Sequence, residues 1–216
     1  MLLCAEYVLP ITSDPIEKGA VLVRDGKICD LGPAAQLRSR YEDEEVRDFA
    51  QAALMPGLIN VHTHMEYSVM RGMAPDEPYA AWLAAVSDIE ESLTEPDLYY
   101  SAIIGGLEAI SSGITLLGDT STTDAAARAL HELGLRGVVY RETGAMDKRQ
   151  IAAAMDAAIA DIERWRSLVD GDRITIGIAP SALHECHPSI FRLISDYAGD
   201  SVPVAMHLAG SREEYD

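Results

Sequence analysis

The chain has 216 residues, of which 48% are hydrophobic and 24% charged, and its formal net charge is −18. A chain of this length and composition is expected to bury a core in one or two domains. So strong an acidic balance argues against nucleic acid and anionic lipid as partners, because surfaces that bind phosphate carry clustered Lys and Arg.

The cysteines and the start of the chain predict a cytoplasmic location. Cys4, Cys29 and Cys186 are odd in number and widely scattered, which favours free thiols in a reducing compartment over a disulfide framework. No apolar run approaches the ~20 residues of a membrane span, and the sequence after Met1 lacks the basic head and the long apolar stretch of an export signal. We therefore expect no membrane partner.

The first 55 residues alternate apolar and polar positions, with turn residues between them. Asp25 and Gly26 predict a β-hairpin, because this dipeptide tolerates the positive φ angles of a two-residue turn. We expect residues 1–55 to form the N-terminal part of a small β-domain and residues 56–216 to form a second domain.

From Leu58 onward, short and nearly continuous apolar runs alternate with longer helical segments. This rhythm is typical of strands that crossover helices bury on both faces. The runs predict five strands, over residues 58–64, 113–119, 137–143, 174–180 and 203–209.

The helices between these strands have recognisable ends. Thr94 with Asp97 predicts a capping box, and the apolar pattern then continues to a stop at Gly113. A second helix is predicted from Thr123 to Gly134, and an Ala-rich third helix over residues 147–169. Repeated strand and helix units indicate a parallel sheet, open or closed, and a closed barrel needs eight strands and roughly 250 residues.

Three histidines lie at predicted strand ends, where they could share one metal ion. His62 and His64 are two residues apart on a strand, so they point to the same side. His207 ends the fifth strand, and a barrel brings the carboxyl ends of its strands together. Three histidine ligands with an open position suit Zn used to activate water. On the residues alone, the first two could also be ordinary polar residues at a strand end, and His207 a buried histidine bonded to a backbone carbonyl.

The segment from Pro56 to His64 resembles the first metal-binding motif of the amidohydrolase superfamily. Further segments are similar to one branch of it, the S-adenosylhomocysteine and methylthioadenosine deaminases and the triazine hydrolases, and the likeness covers nearly the whole chain. The other matching segments are Arg71-Gly72, Trp82, Ile89 to Thr94, Gly113 to Asp119, Arg141, Ala179-Pro180-Ser181 and His207-Leu208-Ala209.

The resemblance implies an α/β protein with a (β/α)8 TIM-type barrel, five strands of which lie in this chain, and a small N-terminal β-sandwich domain. It implies that His62, His64 and His207 hold one divalent metal, zinc or alternatively iron. It also implies a small-molecule substrate and a homodimer.

The same resemblance implies four substrate contacts. Trp82 would form a pocket wall, Glu90 would accept the hydroxyl groups of a ribose or similar diol, Arg141 would bind a substrate carboxylate, and Ser181 would lie beside them. A carboxylate can accept two hydroxyl hydrogens, and a guanidinium can fork onto an anion. On the residues alone, Glu90 could be a solvated side chain at a charged helix end, Arg141 could pair with an acid such as Glu142, and Trp82 could belong to the core.

The sequence departs from the family at two places. The family usually has a proton-transferring glutamate three residues after its third ligand, where this chain has Gly210. His184 and Glu185 are the candidates to replace it. Residues 211–216 read as the start of a helix, whereas the family's catalytic aspartate comes later. We therefore expect the catalytic base to lie beyond Asp216, and the chain to be the N-terminal part of a longer protein.

The expected function is metal-dependent hydrolysis of a C–N bond, as in deamination of a nucleoside or heteroaromatic amine by a metal-activated water. Displacement of chloride from a triazine ring is an alternative that needs the same activated water. A non-catalytic homologue that keeps the fold for binding is a second alternative, and Gly210 favours it.

Overall fold

The computed structural model describes residues 1–210 and Arg212. One compact unit spans Met1–Gly57 and a second begins at Leu58, whereas the sequence places the boundary after residue 55. The helix start predicted over residues 211–216 lies outside the described residues, apart from Arg212. In the described part of the chain, no helix combines the length and apolar character that a membrane span requires.

The first unit is one five-stranded sheet with a short helix on it. Its strands are β1 (Leu2–Val8), β2 (Ile16–Arg24), β3 (Lys27–Pro33), β4 (Val46–Asp48) and β5 (Ala53–Leu54), and its helix is α1 (Ala34–Arg40). The strand order is β3-β2-β1-β4, and β5 also pairs with β1. The predicted hairpin is confirmed: β2 and β3 are antiparallel, and Asp25 and Gly26 have φ angles of 50° and 71°.

The predicted N-terminal β-sandwich is not confirmed. Leu2, Leu22 and Leu37 pack together on the face that α1 covers. The opposite face is apolar too, but no second sheet covers it among the described residues, and Ile28 and Leu31 on that side are 67% and 42% exposed. Alternation in the sequence shows that a strand has two different faces, but it does not show what packs on each of them.

The second unit contains a four-stranded parallel sheet with helices between successive strands. The strands are β6 (Leu58–Thr63), β7 (Ile114–Ser121), β8 (Arg136–Thr143) and β9 (Ile174–Pro180), in that spatial order. The helices are α2 (Tyr79–Ser92), α3 (Glu95–Ser111), α4 (Ala125–Leu133), α5 (Ile151–Leu168) and α6 (Ser189–Ala198). Short 3-10 turns cover Met65–Met70 and Leu183–Glu185. Trp165, Ile162 and Ile178 are fully buried in the core that the sheet shares with its helices.

Local chemistry sets the helix ends close to the predicted positions. The capping box is confirmed, because Asp97 accepts hydrogen bonds from both the backbone and the hydroxyl of Thr94. Helix α4 ends at Gly134, whose left-handed φ of 73° is the conformation glycine tolerates best. Helix α5 begins at Ile151 rather than at residue 147, because Asp147 instead accepts the backbone N–H of Arg149 in a turn.

The fifth predicted strand, over residues 203–209, is wrong in its extent. Only Val204 forms a ladder bridge, to Ile178 on β9. Its backbone bonds to β9 run from Ile178 N–H to the carbonyl of Pro203 and from Ala205 N–H to the carbonyl of Ile178, and the ladder does not continue from there towards residue 209. The segment still follows β9 and delivers His207 to the carboxyl end of the sheet.

Gly118 lets β6 lie close against β7. A Cβ atom at this position would lie 2.4 Å from the backbone oxygen of Val61, one residue before His62. We predict that Gly118→Ala lowers the free energy of unfolding of the full-length protein by about 1–3 kcal/mol, because the backbone cannot give way cheaply. Denaturant unfolding measures the change. Gly171→Ala is the matched control, since a Cβ at Gly171 would meet nothing within 4 Å; an equal loss in both variants would contradict the prediction.

Candidate metal centre

The structure brings the three predicted histidines together. His62 and His64 lie at the carboxyl end of β6, and His207 lies on the segment after α6. One ring nitrogen from each lies within 4.8 Å of the other two. The Nε2 atoms of His64 and His207 are 3.1 Å apart.

These residues fit a divalent metal. A metal binds the neutral imidazole, and a cluster of positively charged rings would repel itself. Burial and the neighbouring rings of His207 and His62 lower the pKa of His64 to about 4, so its ring is neutral at physiological pH. Burial and His207 also lower the pKa of His62. Three imidazole nitrogens within reach of one another form a donor set that zinc accepts.

The turn after His64 is anchored by buried polar groups. The backbone N–H of Met65 donates to Asp119 on β7 over 2.8 Å, and the backbone N–H of Val69 donates to Ser101 on α3 over 2.8 Å. The hydroxyl of Ser101 donates in turn to the carbonyl of Glu66. Burial raises the pKa of the Asp119 carboxyl well above its usual range. The backbone next to His64 is therefore tied to two different elements.

A cavity of about 380 Å³ opens beside the cluster. Its lining includes His64, Tyr67 and Trp82, together with the apolar side chains of Met70 and Val86. The Tyr67 ring lies nearly parallel to the His64 ring, with centroids 5.1 Å apart. Two aromatic side chains and the His64 ring thus line a space that can receive a flat molecule, and the lining also includes Arg71.

Glu90 is joined to this cavity through Tyr67. The Tyr67 hydroxyl donates to Oε2 of Glu90 over 3.2 Å, and Thr122 donates to Oε1 over 3.4 Å. Of the four predicted substrate contacts, the structure therefore places Trp82 in the cavity lining with His64 and joins Glu90 to that lining through Tyr67.

Arg141 is not brought to the cluster. Its Nε donates to Asp161 on α5 over 2.9 Å, and its guanidinium lies 5.8 Å from the Trp165 ring centroid. The sequence left two partners open for Arg141, a substrate carboxylate or an acid of the chain itself, and the structure shows it paired with an acid, Asp161. Neighbouring residues on a strand point to opposite faces, so Glu142 takes the direction of the histidines instead.

Glu142 is the functional candidate that the sequence reasoning missed. Its Oε1 lies 4.0 Å from Nδ1 of His207. Burial and the nearby Glu185 raise the pKa of Glu142 to about 7, and Ser181, the fourth predicted substrate contact, hydrogen-bonds it. The alternation of β8 could have identified Glu142. Val139 is fully buried in the core that the helices cover, Arg141 lies two residues on and shares that face, and Glu142 therefore points to the opposite face.

His184 and Glu185, the two candidates to replace the family's glutamate, have exposed side chains. His184 and Glu185 occupy the short turn after β9, with side chains 51% and 48% exposed and 3.9 Å apart. Glu185 is close enough to raise the pKa of Glu142, whereas Gly210 carries no side chain that could transfer a proton. The catalytic base expected beyond Asp216 stays a prediction, because Asp216 itself lies outside the described residues.

A parallel β/α sheet that gathers three imidazoles at the carboxyl ends of its strands defines an α/β metal-binding protein. Residues 53–216 match the amidohydrolase family, and residues 19–41 match the imidazolonepropionase-like composite domain of bacteria. The chain belongs to the amidohydrolase family.

A 5-methylthioadenosine/S-adenosylhomocysteine deaminase of Moorella thermoacetica is 32% identical over 96% of this chain and 49% of that protein. Two solved structures share the fold. Aminofutalosine deaminase of Helicobacter pylori, in complex with methylthio-coformycin, has a TM-score of 0.83 at 23% identity, over 99% of this chain and 52% of that chain. Atrazine chlorohydrolase of Arthrobacter aurescens, complexed with zinc, has a TM-score of 0.78 at 20% identity, over 96% and 52%. The chain spans about half the length of these relatives.

The histidine cluster predicts metal binding. Elemental analysis of the full-length protein should give about one divalent metal per chain, and the double variant His62→Ala/His64→Ala should lose it, because two of three donors disappear. His131→Gln on α4, outside the cluster, should keep the full metal content. Full metal content in the double variant would remove these histidines from the site.

The raised pKa of Glu142 predicts a pH-dependent stability in the full-length protein after metal has been removed with a chelator. Its folded pKa of about 7 lies above the ordinary 4.5, so the contribution to stability is complete below pH 4.5 and is lost as the pH rises through 7. Glu142→Gln cannot lose a proton. Its stability relative to the wild type should therefore rise between these pH values by up to about 3 kcal/mol, as measured by denaturant unfolding.

The exposed Glu163 on α5 provides the control for this experiment. Glu163→Gln should shift the unfolding free energy by the same small amount at every pH. A difference between Glu142→Gln and the wild type that stays constant from about pH 4.5 to about pH 8.5 would show that burial does not hold the Glu142 proton.

Proposed function

We propose that the full-length protein is a metal-dependent aminohydrolase that removes the amino group of a nucleoside or heteroaromatic amine. The observation that carries this proposal is the cluster of His62, His64 and His207 beside a cavity with aromatic walls. The relatedness to a deaminase over 96% of the chain supports the reaction class.

In this proposal the three histidines hold one divalent cation, and zinc suits their nitrogen donors. When bound, such a cation supplies Lewis acidity that activates water for attack on the carbon bearing the amine. Tyr67 and Trp82 hold the flat ring, because aromatic faces pack well against heterocycles. Glu90 accepts hydroxyl hydrogens of the substrate.

Glu142 takes over the proton transfer for which Gly210 offers no group. Its carboxyl group lies 4.0 Å from His207, so its oxygens face the place where the amine would react. A pKa of about 7 lets Glu142 Oε1 both accept and return a proton near neutral pH. Glu185 acts through Glu142 in this arrangement, by raising its pKa, and Ser181 orients the carboxyl group by its hydrogen bond.

Chloride displacement from a triazine is the second candidate function, and the likeness to atrazine chlorohydrolase favours it. It needs the same cation and the same flat pocket.

We also propose a homodimer, which the family resemblance supports. We propose a location in the cytoplasm, which the scattered cysteines Cys4, Cys29 and Cys186 support.

The test is an assay of ammonia and chloride release by the zinc-loaded full-length protein. We expect ammonia from methylthioadenosine and no chloride from a chlorotriazine. Glu142→Gln should keep its metal and lose about 10²–10⁴-fold in kcat.

Each other result points elsewhere. Chloride release without ammonia would establish the second candidate. Full metal content without either product would favour a non-catalytic homologue. Wild-type kcat in Glu142→Gln would return the proton transfer to His184 or Glu185.

A further inference from the structure

Tyr67 connects three parts of the candidate site. Its ring stacks on His64 with an interplanar angle of 11°. Its hydroxyl donates to Glu90, and its side chain lines the cavity that Trp82 also lines. None of the sequence motifs identified this residue, because it lies on the short turn Met65–Met70 rather than on a strand end.

Glu90 needs donors from outside its own helix. It lies in the last turn of α2, where the free carbonyl groups of the helix end disfavour a carboxylate. Tyr67 supplies a donor to one carboxylate oxygen and Thr122 supplies a longer one to the other. Because each carboxylate oxygen accepts two hydrogen bonds, one acceptor position on each oxygen stays available. Two such positions on one carboxylate match two adjacent hydroxyl groups.

We propose that Tyr67 is a positioning residue that holds Glu90 in place to receive the adjacent hydroxyl groups of a nucleoside substrate. A phenol is protonated at physiological pH, so the Tyr67 hydroxyl is a donor to Glu90 over the observed 3.2 Å. The inference rests on the proposed function in that it requires a nucleoside with free hydroxyl groups in the cavity beside His64.

Tyr67→Phe tests the hydroxyl group separately from the ring, because it removes only the hydroxyl. The phenyl ring can still stack on His64, so metal content should not change. In the full-length protein, KM for adenosine should rise about tenfold with kcat within about twofold, because the lost bond involves a charged acceptor. KM for 2′,3′-dideoxyadenosine should stay the same, since that nucleoside makes no use of Glu90.

Tyr100→Phe is the matched control, because Tyr100 lies on α3 and is 64% exposed. It should leave both KM values unchanged. A rise in KM by the same factor for both nucleosides in Tyr67→Phe would reduce Tyr67 to a structural role and overturn the proposal. No change for either nucleoside would also overturn it.

A binding measurement separates this inference from the proposed function. Purine riboside lacks the amino group, so equilibrium dialysis reports its affinity without turnover. Tyr67→Phe should weaken its binding about tenfold and leave the dideoxy form unaffected. If the wild type binds the riboside in this way but does not deaminate adenosine, the proposed function fails and the role of Tyr67 stands. If the wild type binds the two forms equally, or binds neither, the role of Tyr67 falls whatever the activity.

Discussion

Three imidazole rings whose nitrogens lie within 4.8 Å of one another repel if they are protonated together. The rest of the site depends on this constraint. Burial and the neighbouring rings of His207 and His62 lower the pKa of His64 to about 4, so its ring keeps a lone pair for a cation. The Nε2 atoms of His64 and His207 are 3.1 Å apart, close enough for both to reach one metal ion or for one ring to donate a hydrogen bond to the other.

Two buried acids near the cluster hold the turn that follows His64. Asp119 and Glu66 are almost fully buried, and both have a raised pKa because burial disfavours their charged forms. Asp119 holds the backbone next to His64, and Glu66 accepts a hydrogen bond from Ser121 on β7. These groups act on the turn rather than on the metal. They let the chain reverse direction directly after the second histidine without losing the hydrogen bonds of its backbone.

Sequence reasoning found the parts of this site that local chemistry dictates. Two histidines two residues apart must share a side of a strand, and Thr94 with Asp97 must cap a helix wherever the helix packs. It did not find Glu142, since it read Arg141 from a family motif rather than from the parity that the buried Val139 imposes on β8. It also overextended the strand at residues 203–209, because an apolar run predicts a buried strand whereas Val204 and Leu208 are 49% and 65% exposed.

Among the described residues, β6 pairs with β7 alone, and Ile59 and Val61 on it are 62% and 78% exposed. Of the three candidate ligands, His62 therefore lies on an edge strand and His64 directly follows it, at the part of a sheet that frays most readily. Any element that adds to that edge would stiffen both histidines at once and so reduce the entropy lost when a cation binds. The metal affinity would then depend on whether the edge strand is paired. A preparation with low metal content would first indicate an unpaired edge strand, and only then an unsuitable set of ligands.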